Sequence, residues 1–243
     1  RWGVGWLSGP WDLTQEALLT SIRTITPLTV LKKEEIEELR RWSHQRARPA
    51  SRSLFVQRAE MLTDAEKRNI ALHEAGHSIM MWHHFTRTPT FISVDNYKNY
   101  SSFVPFDETI RTTFTKKDLE KEIGVILGGM VTEDELNGSD SKTLGASQDL
   151  MQATAIARKM VVEYGFGEIM KNKSLTVLQD YALTSGSDIL DDIQKILDNS
   201  KEATATIISK NRDVLVRLVD RLSKEILMNG DTLAGFFNQN PLN

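Results

Sequence analysis

The chain has 243 residues, 40% of them hydrophobic, with 33 acidic against 30 basic side chains and a formal charge of −3. That size is enough to bury a substantial core as one large domain with a smaller piece attached, and the charge balance excludes the strongly basic character of a nucleic-acid partner. The absence of cysteine excludes disulfides and cysteine-held zinc, leaves any metal site to His, Asp and Glu, and fits a reducing compartment such as cytoplasm, organelle matrix or stroma.

Residues 1–50 read as a separate N-terminal piece. Trp2, Trp6 and Trp11 lie around a short helix expected over Leu13 to Ile25, and Lys32 to Gln45 is patterned as a charged amphipathic helix with Ile36, Leu39 and Trp42 on one face. Arg46 to Ser53 is basic, contains Pro49 and has no periodicity, the composition of a linker. No apolar run approaches the roughly 20 residues needed to span a bilayer. The first residue is Arg1, so the sequence is expected to be a fragment, and any targeting or membrane segment would lie upstream.

Residues 51–243 read as the main domain. Thr63 followed by Glu66 is a capping-box start for a helix that continues through Ile70, His73, His77 and Met80 and fades at His84, Phe85 and Thr86 before Pro89. Within it lies His73-Glu74-Ala75-Gly76-His77. Two histidines four apart project from one helical face and can share a metal, while the glutamate beside them is left free to act as a base. Zinc suits imidazole and carboxylate donors and keeps one position for water, which points to hydrolysis of peptide bonds. Gly76 in a helix interior costs about 1 kcal/mol relative to alanine, so a close neighbouring helix is expected there. His83 and His84 are read as ordinary helix-end residues.

After Pro89, the β-branched and aromatic stretches Thr90–Val94 and Ser101–Val104 predict a small β-hairpin near the zinc helix. From Thr115 onward the pattern is helical. Leu119, Ile123, Ile126, Leu127, Met130 and Val131 recur at three and four, and Gly124, Gly128 and Gly129 permit close backbone approach, so this helix is expected to pack on the zinc helix. A further helix is predicted from Asp149 to Tyr164, stopping at Gly165. Ile189 to Ile208 and Val214 to Ile226 predict two more helices joined at Asn211-Arg212 as a C-terminal helical hairpin. The fold class is therefore mainly α.

A catalytic zinc needs a third protein ligand. Two acidic groups qualify: Glu133-Asp134-Glu135 at the end of the glycine-containing helix, and Asp149 where a loop enters the next helix. Spacing alone leaves both open.

Several motifs in register add a resemblance. His73 to His77, Ile126-Leu127-Gly128-Gly129 with Glu133, Gly145-Ala146-Ser147-Gln148-Asp149-Leu150, Ala153 to Val161, Tyr164-Gly165 and Asn211 to Leu215 resemble, in order and spacing, the peptidase domain of the FtsH-type AAA proteases. The resemblance covers about Leu62 to Phe237. It implies a helical zinc (Zn2+) metalloendopeptidase in which His73, His77 and Asp149 hold the metal and Glu74 is the catalytic base. It further implies polypeptide substrates that are unfolded or misfolded, a homo-hexamer, and an AAA ATPase module upstream, whose lid the 1–50 segment weakly resembles. Full-length relatives of this kind can be membrane-tethered.

Departures accompany the matches. Met130 stands where the family has arginine, Thr132 and Asp134 replace alanine and glutamate, and Leu144 replaces threonine near Asp149. The sequence has no Gly-Lys pair and hence no phosphate loop. The alternative reading is a non-catalytic oligomerising or chaperone-like module derived from such a protease, and a third is an ATP-independent peptidase.

Overall fold

In the computed structural model the described residues are 62–89, 91–94, 114–138, 146–169, 171–172 and 186–243. The expectations for residues 1–50, the linker, Ser101–Val104 and Leu144 fall outside them. Among the described residues there are six helices and two strands: α1 (Asp64–Phe85), β1 (Phe91–Ser93), α2 (Lys116–Asn137), α3 (Ala146–Val162), α4 (Gly186–Lys210), α5 (Arg212–Glu225), β2 (Leu227–Asn229) and α6 (Gly230–Gln239).

Local sequence accounts for where the first two helices start. The Thr63 hydroxyl accepts from the Glu66 amide, and Glu66 Oε2 accepts from the Thr63 amide at 2.8 Å, so two otherwise unpaired donors are satisfied. Thr115 and Asp118 repeat the arrangement at the head of α2. α1 ends where Thr86 turns left-handed at φ 50° and its amide returns to the Trp82 carbonyl. At the end of α3, Gly165 takes φ 66° and the Phe166 amide reaches back to the Met160 carbonyl at 2.8 Å, a closure that favours glycine. α3 begins three residues before the predicted start, which puts Asp149 inside its first turn.

α2 is the central element. It packs on α1, α3 and α4, while α5 lies against α1. Two hydrophobic cores result. One joins α1, β1, α5, β2 and α6 through Leu72, Ile79, Met80, Ile92, Leu215, Leu218, Leu222 and Phe237. The other joins α2, α3 and α4 through Ile123, Leu127, Val131, Ala153, Ala157, Met160 and Ile196. The helices joined at Asn211 thus form the expected connection, with their arms against different partners, α4 on α2 and α5 on α1. Buried Asp192 on α4 accepts from the Glu168 and Ile169 amides and ties the chain after α3 to α4.

The two strands form an antiparallel pair beside α1, with Ile92 opposite Met228. Within the stretch predicted as a strand, Phe91–Ser93 is one, and its partner among the described residues comes from the far end of the domain. Such long-range pairing has no local turn signal in the sequence to announce it.

The two cores meet at the α1–α2 contact, and glycine makes that contact close. A Cβ on Gly76 would run into the Gly128 carbonyl and the Thr132 hydroxyl; one on Gly128 would lie 2.8 Å from the Gly76 carbonyl oxygen. The helix backbones therefore touch where the histidine pair sits.

Candidate metal centre

Helix α1 presents His73 and His77 on the face turned to α2. His77 is buried and His73 nearly so. Space for the His73 ring comes from Gly129, because a Cβ there would lie 2.5–2.6 Å from three imidazole atoms. Asp149 enters from the first turn of α3. His73 Nε2 lies 3.0 Å from His77 Nε2 and 3.0 Å from Asp149 Oδ2, and His77 Nε2 lies 3.4 Å from the same oxygen.

The outer ring nitrogens decide the protonation of the inner ones. His77 Nδ1 is 2.8 Å from the Val125 carbonyl oxygen, which can only accept, so Nδ1 donates. His73 Nδ1 is 2.8 Å from Glu133 Oε1 and donates to that carboxylate. Both Nε2 atoms in the neutral rings are then lone pairs, and they face each other and a carboxylate oxygen that receives no hydrogen bond. Three electron-rich atoms at this separation repel unless a cation lies among them. A zinc tetrahedron with arms of 2.0–2.2 Å has edges of about 3.3–3.6 Å; the separations here, 3.0, 3.0 and 3.4 Å, lie at or a few tenths of an ångström below that range. His73, His77 and Asp149 form the one group of three potential metal-binding side chains found among the described residues.

The electrostatics agree. Burial opposes a charge on His73, yet the flanking carboxylates of Asp149 and Glu133 overcome it and push its pKa up to about 10. His77 also moves up, against burial, through the charge of Asp149. For Asp149, burial acts to raise the pKa, but the two imidazoles hold its carboxyl well below the usual carboxylate range. Glu74 stands outside the converging donors. Burial pushes its carboxyl up, with His77 and His73 pulling the other way, and a raised carboxyl pKa is what a base that takes and returns a proton near neutrality needs.

Of the acidic group at the end of α2, only Glu133 turns to the site, and it contacts His73 on the side away from Asp149. Asp134 pairs with Lys201 at 3.2 Å, and Glu135 is exposed. The two residues weighed as a third donor thus take different places, Asp149 among the inner donors and Glu133 behind a histidine. The Val125 carbonyl had no sequence signal, since any residue carries one. Glu133 had one, because it lies four residues past Gly129 and so on the same α2 face. His83 and His84 sit at the end of α1 with Nδ1 atoms 3.3 Å apart and are not among the converging donors. Met130 is buried in the core between α2, α3 and α4.

Comparison with known proteins follows the same outline. The chain is 29% identical over 189 residues to ATP-dependent zinc metalloprotease FtsH 2 of Symbiobacterium thermophilum, a match covering 72% of the chain and 31% of that protein. It is 30% identical over 179 residues to ATP-dependent zinc metalloprotease FtsH of Mesoplasma florum, covering 69% and 27%. To the mitochondrial inner membrane i-AAA protease supercomplex subunit YME1 of Saccharomyces cerevisiae it is 29% identical over 165 residues, covering 67% and 22%. The matched part thus spans about a third or less of these relatives. Residues 60–234 match the family model described as Peptidase family M41, which takes in every helix from α1 to α5 and both strands. With most of its length inside that match, the chain belongs to peptidase family M41.

Proposed function

We propose that this chain is a zinc-dependent endopeptidase and the proteolytic part of an ATP-driven protease. The observation that carries the reading is the convergence of His73 Nε2, His77 Nε2 and Asp149 Oδ2, with both outer ring nitrogens tied down as donors. His73, His77 and Asp149 would hold the zinc ion. When bound, zinc supplies a Lewis acid that polarises the scissile carbonyl and brings the pKa of water toward neutrality.

The protein residues supply the rest. Glu74, adjacent to His73 and uncommitted to the donor set, takes the proton from the attacking water and returns it to the departing amine. Glu133 and the Val125 carbonyl fix the tautomer and ring orientation of the two imidazoles, and the anionic Glu133 raises the basicity of His73. Burial of the donors keeps their charges from being screened by solvent.

The relatives' names, ATP-dependent zinc metalloprotease and i-AAA protease, support a larger setting with an AAA ATPase module and polypeptide substrates; delivery of those substrates unfolded and assembly as a homo-hexamer complete the proposal. No helix among the described residues is long and apolar enough to cross a membrane. Of the two features that suggested the non-catalytic alternative, Met130 and the lack of a phosphate loop in this sequence, Met130 packs into a core apart from the donors, and a motor upstream would supply the second. Zinc content and casein degradation should be measured together, for wild type and Glu74→Gln. Stoichiometric zinc with cleavage abolished only in the variant is the expected result. Stoichiometric zinc with no cleavage by wild type, even joined to its motor, would overturn the enzyme reading.

A further inference from the structure

The sequence contains two Asn-Gly pairs, Asn137-Gly138 and Asn229-Gly230, and the fold places them in opposite situations. Asn137 is the exposed last residue of α2, and Gly138 leaves the helix at φ 85° with nothing within 4 Å of where its side chain would be. The Gly138 amide is held by the final hydrogen bond of the helix, to the Asp134 carbonyl at 3.0 Å, the kind of bond that frays first. Asn229 lies in β2 opposite Phe91, and its side-chain oxygen caps α6 by accepting from the Thr232 amide at 2.8 Å. Gly230 already belongs to α6.

We infer that Asn137 is a site of spontaneous deamidation in the folded protein, whereas Asn229 is protected. The Gly138 amide nitrogen attacks Asn137 Cγ. A new C–N bond closes a five-membered imide, the Cγ–Nδ2 bond breaks, and ammonia leaves carrying the Gly138 amide proton. Water then opens the ring: cleavage at Cγ gives aspartate, and cleavage at the main-chain carbonyl gives isoaspartate with the backbone rerouted through Cγ. Glycine permits this because it has no side chain to hinder the approach and adapts to unusual dihedrals. At Asn229 the carboxamide is turned toward Thr232, and both strand pairing and the helix start must break before the same attack.

The product bears on the metal centre. Asn137 Nδ2 donates to Asn69 Oδ1 at 3.2 Å, joining α2 to α1. Asn69 is four residues before His73, and Asn137 is four after Glu133, so this amide pair lies one helical turn from the His73–Glu133 contact. Deamidation replaces the donor by an acceptor. It also adds a negative charge at a helix C-terminus that already carries Asp134 and Glu135 and has no basic residue in its last turn, where the dipole disfavours it.

The test is to incubate the zinc-loaded chain at pH 8 and 37 °C, following a 1 Da mass gain and isoaspartate in peptides containing each asparagine, natively and in denaturant. Both should react at similar rates when unfolded, and Asn137 at least tenfold faster than Asn229 when folded. Equal native rates, or a faster Asn229, would overturn the assignment. Asn137→Asp should lower Tm and zinc retention relative to Asn137→Gln; identical behaviour of the two would overturn the proposed effect on the metal centre.

Discussion

His73 is gripped from both sides, with Asp149 beyond Nε2 and Glu133 beyond Nδ1. In metal-free protein the raised pKa, up to about 10, means that this imidazole keeps a proton at neutrality. A histidine with its pKa above the unfolded value stabilises the fold fully below about pH 6.5, and that contribution fades as pH rises through the folded pKa. Metal-free protein should therefore lose thermal stability between about pH 6.5 and 10, while zinc-loaded protein should not follow the same curve; melting with and without chelator checks this. Zinc must displace the proton, so loading near neutrality should release protons, visible as calorimetric heats that depend on buffer ionisation enthalpy. Glu133→Gln should weaken zinc affinity by roughly 10–100-fold, the usual cost of losing a carboxylate behind a ligand histidine. Glu74→Gln should keep the metal and reduce cleavage by about 10²–10⁴-fold, the range for a lost general base. At the far end of α1, burial and the neighbouring charges of His83 and Lys121 depress His84 to about 4. That depression stabilises the fold above about pH 6.5 and is lost as pH falls toward 4, so His84→Gln should flatten part of the acid limb of Tm against pH.

At the scale of elements, the α1–α2 pair is held close by glycine, and its glycines should separate under substitution. Gly76→Ala gains about 1 kcal/mol of helix propensity, but its methyl group meets main chain of α2. Overpacking of that kind costs about 1–3 kcal/mol or more, so a net loss of about 2 kcal/mol is expected in denaturant titration. The atoms nearest a Cβ at Gly129 belong to the His73 ring rather than to main chain, so Gly129→Ala should lose zinc before it loses stability; equal Tm losses in both variants would contradict this. The backbone contact of Gly76 with Gly128 was legible in the sequence, because glycine in a helix interior has a cost that a close neighbour explains, whereas Gly129, read as another backbone contact, instead makes room for the His73 ring. The capping boxes at Thr63 and Thr115 were equally legible, since their partners lie three residues away. Asp149 was not separable from Glu133 by spacing, because which carboxylate enters the site depends on how α2 and α3 pack. The Val125 carbonyl tether was invisible for a different reason: a main-chain oxygen carries no residue identity.

At the scale of the whole molecule, the proposed metal donors come from α1 and α3 while their supports come from α2, so the cluster forms only when the two cores are assembled on the α1–α2 contact. The helical class and the order of α1 to α5 followed from periodicity, whereas the short α6 was not among the helices it marked. What periodicity omitted was partnership: α4 and α5 are adjacent in sequence yet lie against different helices, and β1 pairs with β2 across more than a hundred residues. Zinc should accordingly raise the unfolding temperature of the domain as a unit, and far-UV and near-UV melting curves of the loaded protein should coincide. The β1–β2 pairing carries a consequence for biosynthesis. Phe91–Ser93 is made more than a hundred residues before Leu227–Asn229, so over that interval its strand edge and the apolar surface later covered by Phe236 and Phe237 are open to other chains. Folding of that core thus waits for β2 and α6 to be made, and a chaperone holding the early edge would meet its client during synthesis rather than after it.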